Sequence, residues 1–118
     1  MATIAKAKLS NSTDGKGILV AATSTPGTAI HTAVSGTGDD NYDEIWLWAC
    51  NTDSSDRKLT IEFGGTTTGL IDEVTIGAEQ GYILVVPGLI LQNAAAVAAF
   101  ASVTNVVNLV GFVNKIRA

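Results

Sequence analysis

The chain is short of the residue types on which chemistry is usually built. Its 118 residues include one cysteine, Cys50, and one histidine, His31. A lone thiol forms no intramolecular disulfide, and one thiol with one imidazole falls short of a structural zinc site. Cys50 reads as a small buried hydrophobe in a chain that folds under reducing conditions. Charged residues make up 15% of the sequence, and 7 Lys+Arg against 11 Asp+Glu leave a net charge of −4. No basic run is present to track a phosphate backbone, so no nucleic-acid partner is expected. No apolar run of about 18 residues is present either, so no membrane partner is expected. The opening Met-Ala-Thr-Ile-Ala-Lys-Ala-Lys lacks the apolar core of a secretory signal.

What the chain has in quantity is β-branched residues: 11 valines, 10 isoleucines and 14 threonines, with 12 glycines. The stiff χ1 of such side chains suits a pleated surface, and glycine suits the turns between strands. At 12.1 kDa the chain has the size of one domain with one core. Turn signals recur at Asp14-Gly15-Lys16-Gly17, Pro26-Gly27, Ser35-Gly36-Thr37-Gly38, 51–56, Gly64-Gly65, Gly77, Gly81, Pro87-Gly88 and Asn93. Strands are predicted between them at 3–9, 18–23, 28–34, 44–50, 58–63, 70–76, 82–86, 97–102 and 106–116. Regular short strands with such punctuation predict an all-β fold, a single antiparallel β-sandwich of eight or nine strands and jelly-roll type. In 93–101, Asn93 followed by Ala94-Ala95-Ala96 would also suit a capped helix, but a helix this short is marginal without packing. Strand is the preferred reading there. Residues 1–16 form either an N-terminal arm or an edge strand, and 17–118 the sandwich.

Residues 58–63 alternate strictly: Leu59, Ile61 and Phe63 are predicted to face the core, Lys58, Thr60 and Glu62 the solvent. Two other strands are apolar on both faces. In 44–50 one face carries Ile45, Leu47 and Ala49, the other Trp46, Trp48 and Cys50. In 106–116 one face carries Val107, Leu109 and Val113, the other Val106, Val110, Phe112 and Ile116. A two-layer sandwich covers one face of each sheet, so the second face is expected to meet another subunit.

The candidates for chemistry are few. A Ser-His-Asp triad would have to use His31, with Ser24 or Ser35 near it in sequence, and no Gly-x-Ser-x-Gly elbow is present. His31 instead reads as a packed or interface histidine on the side of Ala29 and Ala33. Asp39, Asn41 and Asp43 alternate as in a calcium loop, but Glu44 and Cys50 stand where an EF-hand needs glycine and glutamate. This stretch reads as a solvated acidic loop, with a weak divalent-ion site as the alternative. Asp14-Gly15-Lys16-Gly17 is too short for a phosphate loop. Asp72 and Glu73 are adjacent on a strand and so point to opposite faces, unable to share a substrate. Trp46 and Trp48, at i and i+2, form either a sugar-stacking platform or a contact surface, and contact is preferred. No enzyme, cofactor or metal is expected.

A series of segments carries a family resemblance: Ile30-His31-Thr32-Ala33, then Asp43-Glu44-Ile45-Trp46-Leu47-Trp48-Ala49, Asn51-Thr52 and Leu59-Thr60-Ile61-Glu62-Phe63-Gly64-Gly65. It continues with Val85-Val86-Pro87-Gly88-Leu89 and Asn105-Val106-Val107-Asn108-Leu109-Val110-Gly111-Phe112-Val113-Asn114. Over 28–116 this order resembles small virion proteins of tailed bacteriophages. The resemblance implies a capsid decoration (cement) protein, a homotrimer on the capsid surface that ties major capsid protein subunits together and is made in the host bacterial cytoplasm. It carries no catalytic residues. The alternatives are a head-fibre or tail-associated module that binds host glycans, and a neck or tail-completion ring protein. Ile4, Lys6, Lys8, Trp46, Trp48, Val110 and Phe112 are the expected subunit or capsid interface. Ile4 is the one large apolar residue in 3–8, so residues 2–17 are expected to make contacts outside their own sandwich.

Overall fold

Nine strands follow one another in the computed structural model, which describes residues 2–67 and 69–118. They are β1 (Thr3–Lys8), β2 (Ile18–Leu19), β3 (Thr28–Thr32), β4 (Tyr42–Asn51), β5 (Arg57–Phe63), β6 (Ile71–Ile76), β7 (Ile83–Leu91), β8 (Ala96–Ala101) and β9 (Val107–Arg117). Met1, the first residue of the expected 1–16 segment, lies outside the described residues. The front sheet has the order β1-β9-β4-β7, with β2 also paired to β9, and the back sheet has the order β3-β8-β5-β6. Both are antiparallel. The chain thus crosses repeatedly between sheets, and its first and last strands pair: this is the jelly-roll arrangement of a β-sandwich. The segment 93–101 is strand, not helix, in its second half, because Ala96–Ala101 fills the slot between β3 and β5.

Strand alternation builds the core. From the front sheet Ile45, Leu47, Ala49, Val107, Leu109 and Val113 point inward, and from the back sheet Leu59, Ile61, Val97, Ala99 and Ala101 meet them. Leu9, directly after β1, is buried in the same core. Residues 10 and 11 then cross to the back sheet, where the Asn11 N–H donates to the Ile30 carbonyl.

Five sequence expectations need correction. First, β5 does not alternate between core and water: Thr60 and Glu62 are buried, and Phe63 is half-buried at the rim of the core. The chain at 22–27 crosses the outer face of the back sheet. There the Gly27 N–H and the Thr25 hydroxyl both donate to the Glu62 carboxylate. Secondly, β2 is two residues long rather than six. Its continuation turns away, and the Ala21 and Ala22 N–H groups donate to Thr28 Oγ1 instead of to a neighbouring strand. Thirdly, Pro87-Gly88 does not end a strand. β7 runs through both residues as a front-sheet border strand, with register shifts opposite Ile45/Trp46 and Leu47/Trp48. Border position and bulges are where a strand tolerates proline. Fourthly, Ile116 lies on the outer face of β9, in phase with Phe112 in the unbroken β4–β9 register, but it is already buried there rather than left for another subunit to cover. Fifthly, Cys50 is half-buried on the outer side of β4, not a core residue.

Candidate functional site

The outer face of the front sheet is the one place where several of the expected interface residues converge. Trp46 and Trp48 project from β4, and Phe112 and Val110 from the same rows of β9, since Trp46 pairs with Phe112 and Trp48 with Val110. The three rings lie near parallel. Centroid separations are 6.2 Å for Trp46–Trp48, 6.2 Å for Trp46–Phe112 and 6.0 Å for Trp48–Phe112. Aromatic rings at such spacing attract one another beyond their apolar burial. Lys6 extends from β1 so that its Nζ sits 4.5 Å from the Phe112 ring centroid, a cation–π geometry. Lys8 pairs with Phe112 across the β1–β9 ladder, and Ile4, 72% exposed, lies at the end of the same strand.

Polar groups beside the rings are already engaged. The Trp46 Nε1–H donates to Glu44 Oε1 at 2.7 Å, and Asn114 Nδ2 donates to the same oxygen at 3.0 Å. The bond from Trp46 foremost, then that from Asn114, holds the Glu44 carboxyl below the usual glutamate range. Sequence reasoning missed Glu44 as part of this face, although it shares the parity of Trp46 and the alternation alone would have placed it. It also missed Leu84, which pairs with Trp48, and Ile90, which pairs with Glu44. The two bulges in β7 shift its phase between these residues, and no periodicity count reveals that.

His31 belongs to a different place, the gap between the sheets beside β1 and β3. It is buried, and both ring nitrogens are used. The Ser10 N–H donates to Nδ1 at 2.9 Å, which puts the ring proton on Nε2, 2.7 Å from Asp43 Oδ2. Arg117 Nη2 holds the other carboxylate oxygen at 2.8 Å. A surface recess of about 520 Å³ opens over this network, with Lys8 and Lys115 at its sides. The imidazole has no nitrogen left to accept a substrate proton, and neither Ser24 nor Ser35 is its partner. The network instead ties the crossing at Ser10 to β3, β4 and β9. Ile30 and His31 are consecutive inward residues because the β3–β8 register shifts between Ala29 and His31.

The alternating oxygen ligands of the acidic loop are not brought together. Asp39 and Asp40 are exposed, whereas Asp43 is turned inside and occupied by His31 and Arg117. Asp72 and Glu73 are both exposed on β6, and Glu73 pairs with Lys58 at 3.2 Å. The turn at Asp14-Gly15 has positive φ at both residues. No protein-family model, curated protein or solved structure matches this chain.

Proposed function

We propose that this chain is a structural protein of a bacteriophage virion. In this reading it is a decoration (cement) protein that self-associates, as a trimer, on the outside of the head. It stabilises the shell by protein–protein contacts with the major capsid protein. The observation that carries the proposal is the ring cluster of Trp46, Trp48 and Phe112, half-buried on an outer sheet face with Val110 and Leu84 beside it. Such a patch is characteristic of surfaces that meet other proteins. The jelly-roll fold and the resemblance of 28–116 to small phage virion proteins support the same reading.

Magnitudes favour an assembly over an isolated contact. Covering what remains exposed of the three aromatic side chains, no more than about a third of each, yields at most about 4–6 kcal/mol at about 25 cal/mol per Å². Association itself costs about 4–15 kcal/mol. The ring cluster alone therefore gives a marginal complex, and further surface must take part. Glycan recognition is the weaker reading, because sugar sites combine a ring face with free polar groups that fix the ligand. Here Glu44, the nearest carboxylate, already accepts from Trp46 and Asn114.

Quantitative mass spectrometry of purified phage particles tests the proposal. Hundreds of copies per particle are expected. A copy number of about six or twelve would point to a neck or tail ring of low cyclic symmetry. Absence from the particle, or binding to a glycan array without attachment to heads, would overturn the decoration reading.

A further inference from the structure

The two lateral edges of the sandwich complement each other. The border strands of the front sheet are β1 and β7, each hydrogen-bonded on one side only. Two strands, β9 and β4, lie between them, and since every pair is antiparallel β1 runs one way and β7 the other. A second copy turned about an axis parallel to the strands therefore lays its β1 antiparallel to β7 of the first. The rows match as well. Across the sheet Ala5 is level with Lys115, Asp43 and Leu91; Lys6 with Asn114, Glu44 and Ile90; and Ala7 with Val113, Ile45 and Leu89. Rotation without translation thus brings the middle of β1 beside 89–91, the regular stretch of β7 beyond its bulges.

Charge and apolar surface are sorted the same way. Lys6, Lys8, Lys16 and Lys115 gather around the β1 edge, and none has an ion-pair partner among the described residues. The other edge, formed by β7 and β6, carries Asp72, Glu73 and Glu79, all exposed. It also carries four exposed large apolar residues, Tyr82 (66%), Leu84 (44%), Leu89 (48%) and Ile90 (54%). Glu73 also meets Lys58 of its own subunit, so this edge presents free backbone, uncovered apolar side chains and an excess of negative charge, a template for another strand. The opposite edge of the same molecule offers that strand with the other sign.

We infer that copies of this chain join head to tail, the β1 edge of one subunit against the β7–β6 edge of the next. Successive rotation closes the chain of copies into a ring. The inference rests on the self-association proposed above and specifies its geometry: heterologous contacts that continue the front sheet from subunit to subunit. It also supplies the surface that the aromatic cluster alone lacks. Opposite charges fix the direction of joining, since β1 against β1 or β6 against β6 sets like charges together.

Two double variants of the full chain test it by light scattering coupled to size exclusion, with circular dichroism to verify folding. Lys8→Glu/Lys115→Glu and Asp72→Lys/Glu73→Lys should each weaken association at least about tenfold and run as monomers at micromolar concentration. Mixed in equal amounts, they should regain the wild-type oligomer, because each reversed edge now meets its reversed complement. Dissociation of both variants without recovery on mixing would overturn the head-to-tail pairing. Wild-type assembly in both variants would overturn the edge assignment while leaving self-association intact. A monomeric wild type would overturn self-association and this inference together. Zero-length carbodiimide cross-linking of the wild type gives a readout free of substitutions. Three strand spacings, about 14 Å, separate the two edges within one chain, too far for such a link. Cross-links from Lys6 or Lys8 to Asp72, Glu73 or Glu79 are therefore expected between subunits. An oligomer linked only elsewhere would overturn the inference.

Discussion

Gly88 of β7 lies directly against the indole of Trp46 on β4. A Cβ at position 88 would stand 2.6 Å from Cζ2 and 2.8 Å from Cε2 of that ring. Gly88 also has a φ of +73° at the bulge, where any side chain adds strain. Both constraints act on the same residue, so Gly88→Ala is expected to push Trp46 out of register with Trp48 and Phe112. The cost should be about 1–3 kcal/mol. A lower urea midpoint and a red-shifted tryptophan emission are the expected readings. A variant with wild-type emission and midpoint would show that the ring is not held there.

Removing Asp43 should be among the most damaging single changes to a polar side chain. Asp43→Ala leaves the His31 Nε2–H without an acceptor inside the protein and deprives Arg117 of its carboxylate. Breaking a buried charged network typically costs about 3–5 kcal/mol, against a total stability of about 5–15 kcal/mol. Asp43→Asn should be milder, because the amide oxygen still accepts from one partner. Denaturant titration of the two variants checks both the size and the order of the effect.

The Glu62 carboxylate is the anchor of the segment that crosses the back sheet. Glu62→Ala removes the acceptor for the Gly27 N–H and the Thr25 hydroxyl at once. A loss of about 1.5–3 kcal/mol per charged hydrogen bond is the relevant scale. Amide hydrogen exchange should rise first at 23–27, before the strands of the back sheet. Uniform acceleration across the whole chain would contradict this localisation.

Glu44 provides a pH-dependent contribution whose sign follows from its environment. Its carboxyl is held below the ordinary glutamate range by Trp46 and Asn114. The bonds to the carboxylate therefore stabilise the fold fully at pH values above that range, and this stabilisation is lost as pH falls through the lowered value. The difference in stability between wild type and Glu44→Gln should be constant above about pH 6 and shrink below about pH 4. A difference independent of pH would show that the charge of Glu44 contributes nothing. Asp53, lowered chiefly by its hydrogen bond from Arg57, titrates in both proteins and cancels from the comparison.

The architecture was legible because strand periodicity and turn chemistry act locally. Each predicted strand has a counterpart, and Leu59 and Ile61 lie in the core where alternation put them. The failures share one physical origin, the action of distant chain on local pattern. Glu62 reads as a solvent-facing residue until a segment about 35 positions earlier in the sequence lies over it. Pro87-Gly88 reads as a break until β7 is known to be a border strand with bulges. Of the candidate surface, Trp46, Trp48, Val110 and Phe112 were visible from parity on two strands with apolar outer faces. Leu84 and Ile90 were not, because bulges reset the phase. The partnership of His31 with Asp43 joins residues on different sheets and left no local signal.

The topology also sets an order of events during synthesis. The ninth strand, β9, is the common partner of β1, β2 and β4. Until Val107–Arg117 has left the ribosome, β1 and β2 have no strand to pair with, and half of the core has no lid. Contacts of such long sequence separation slow folding and leave apolar strands uncovered in the interval. Nascent chains should therefore acquire protease resistance only after β9 emerges, in a single late step, rather than strand by strand.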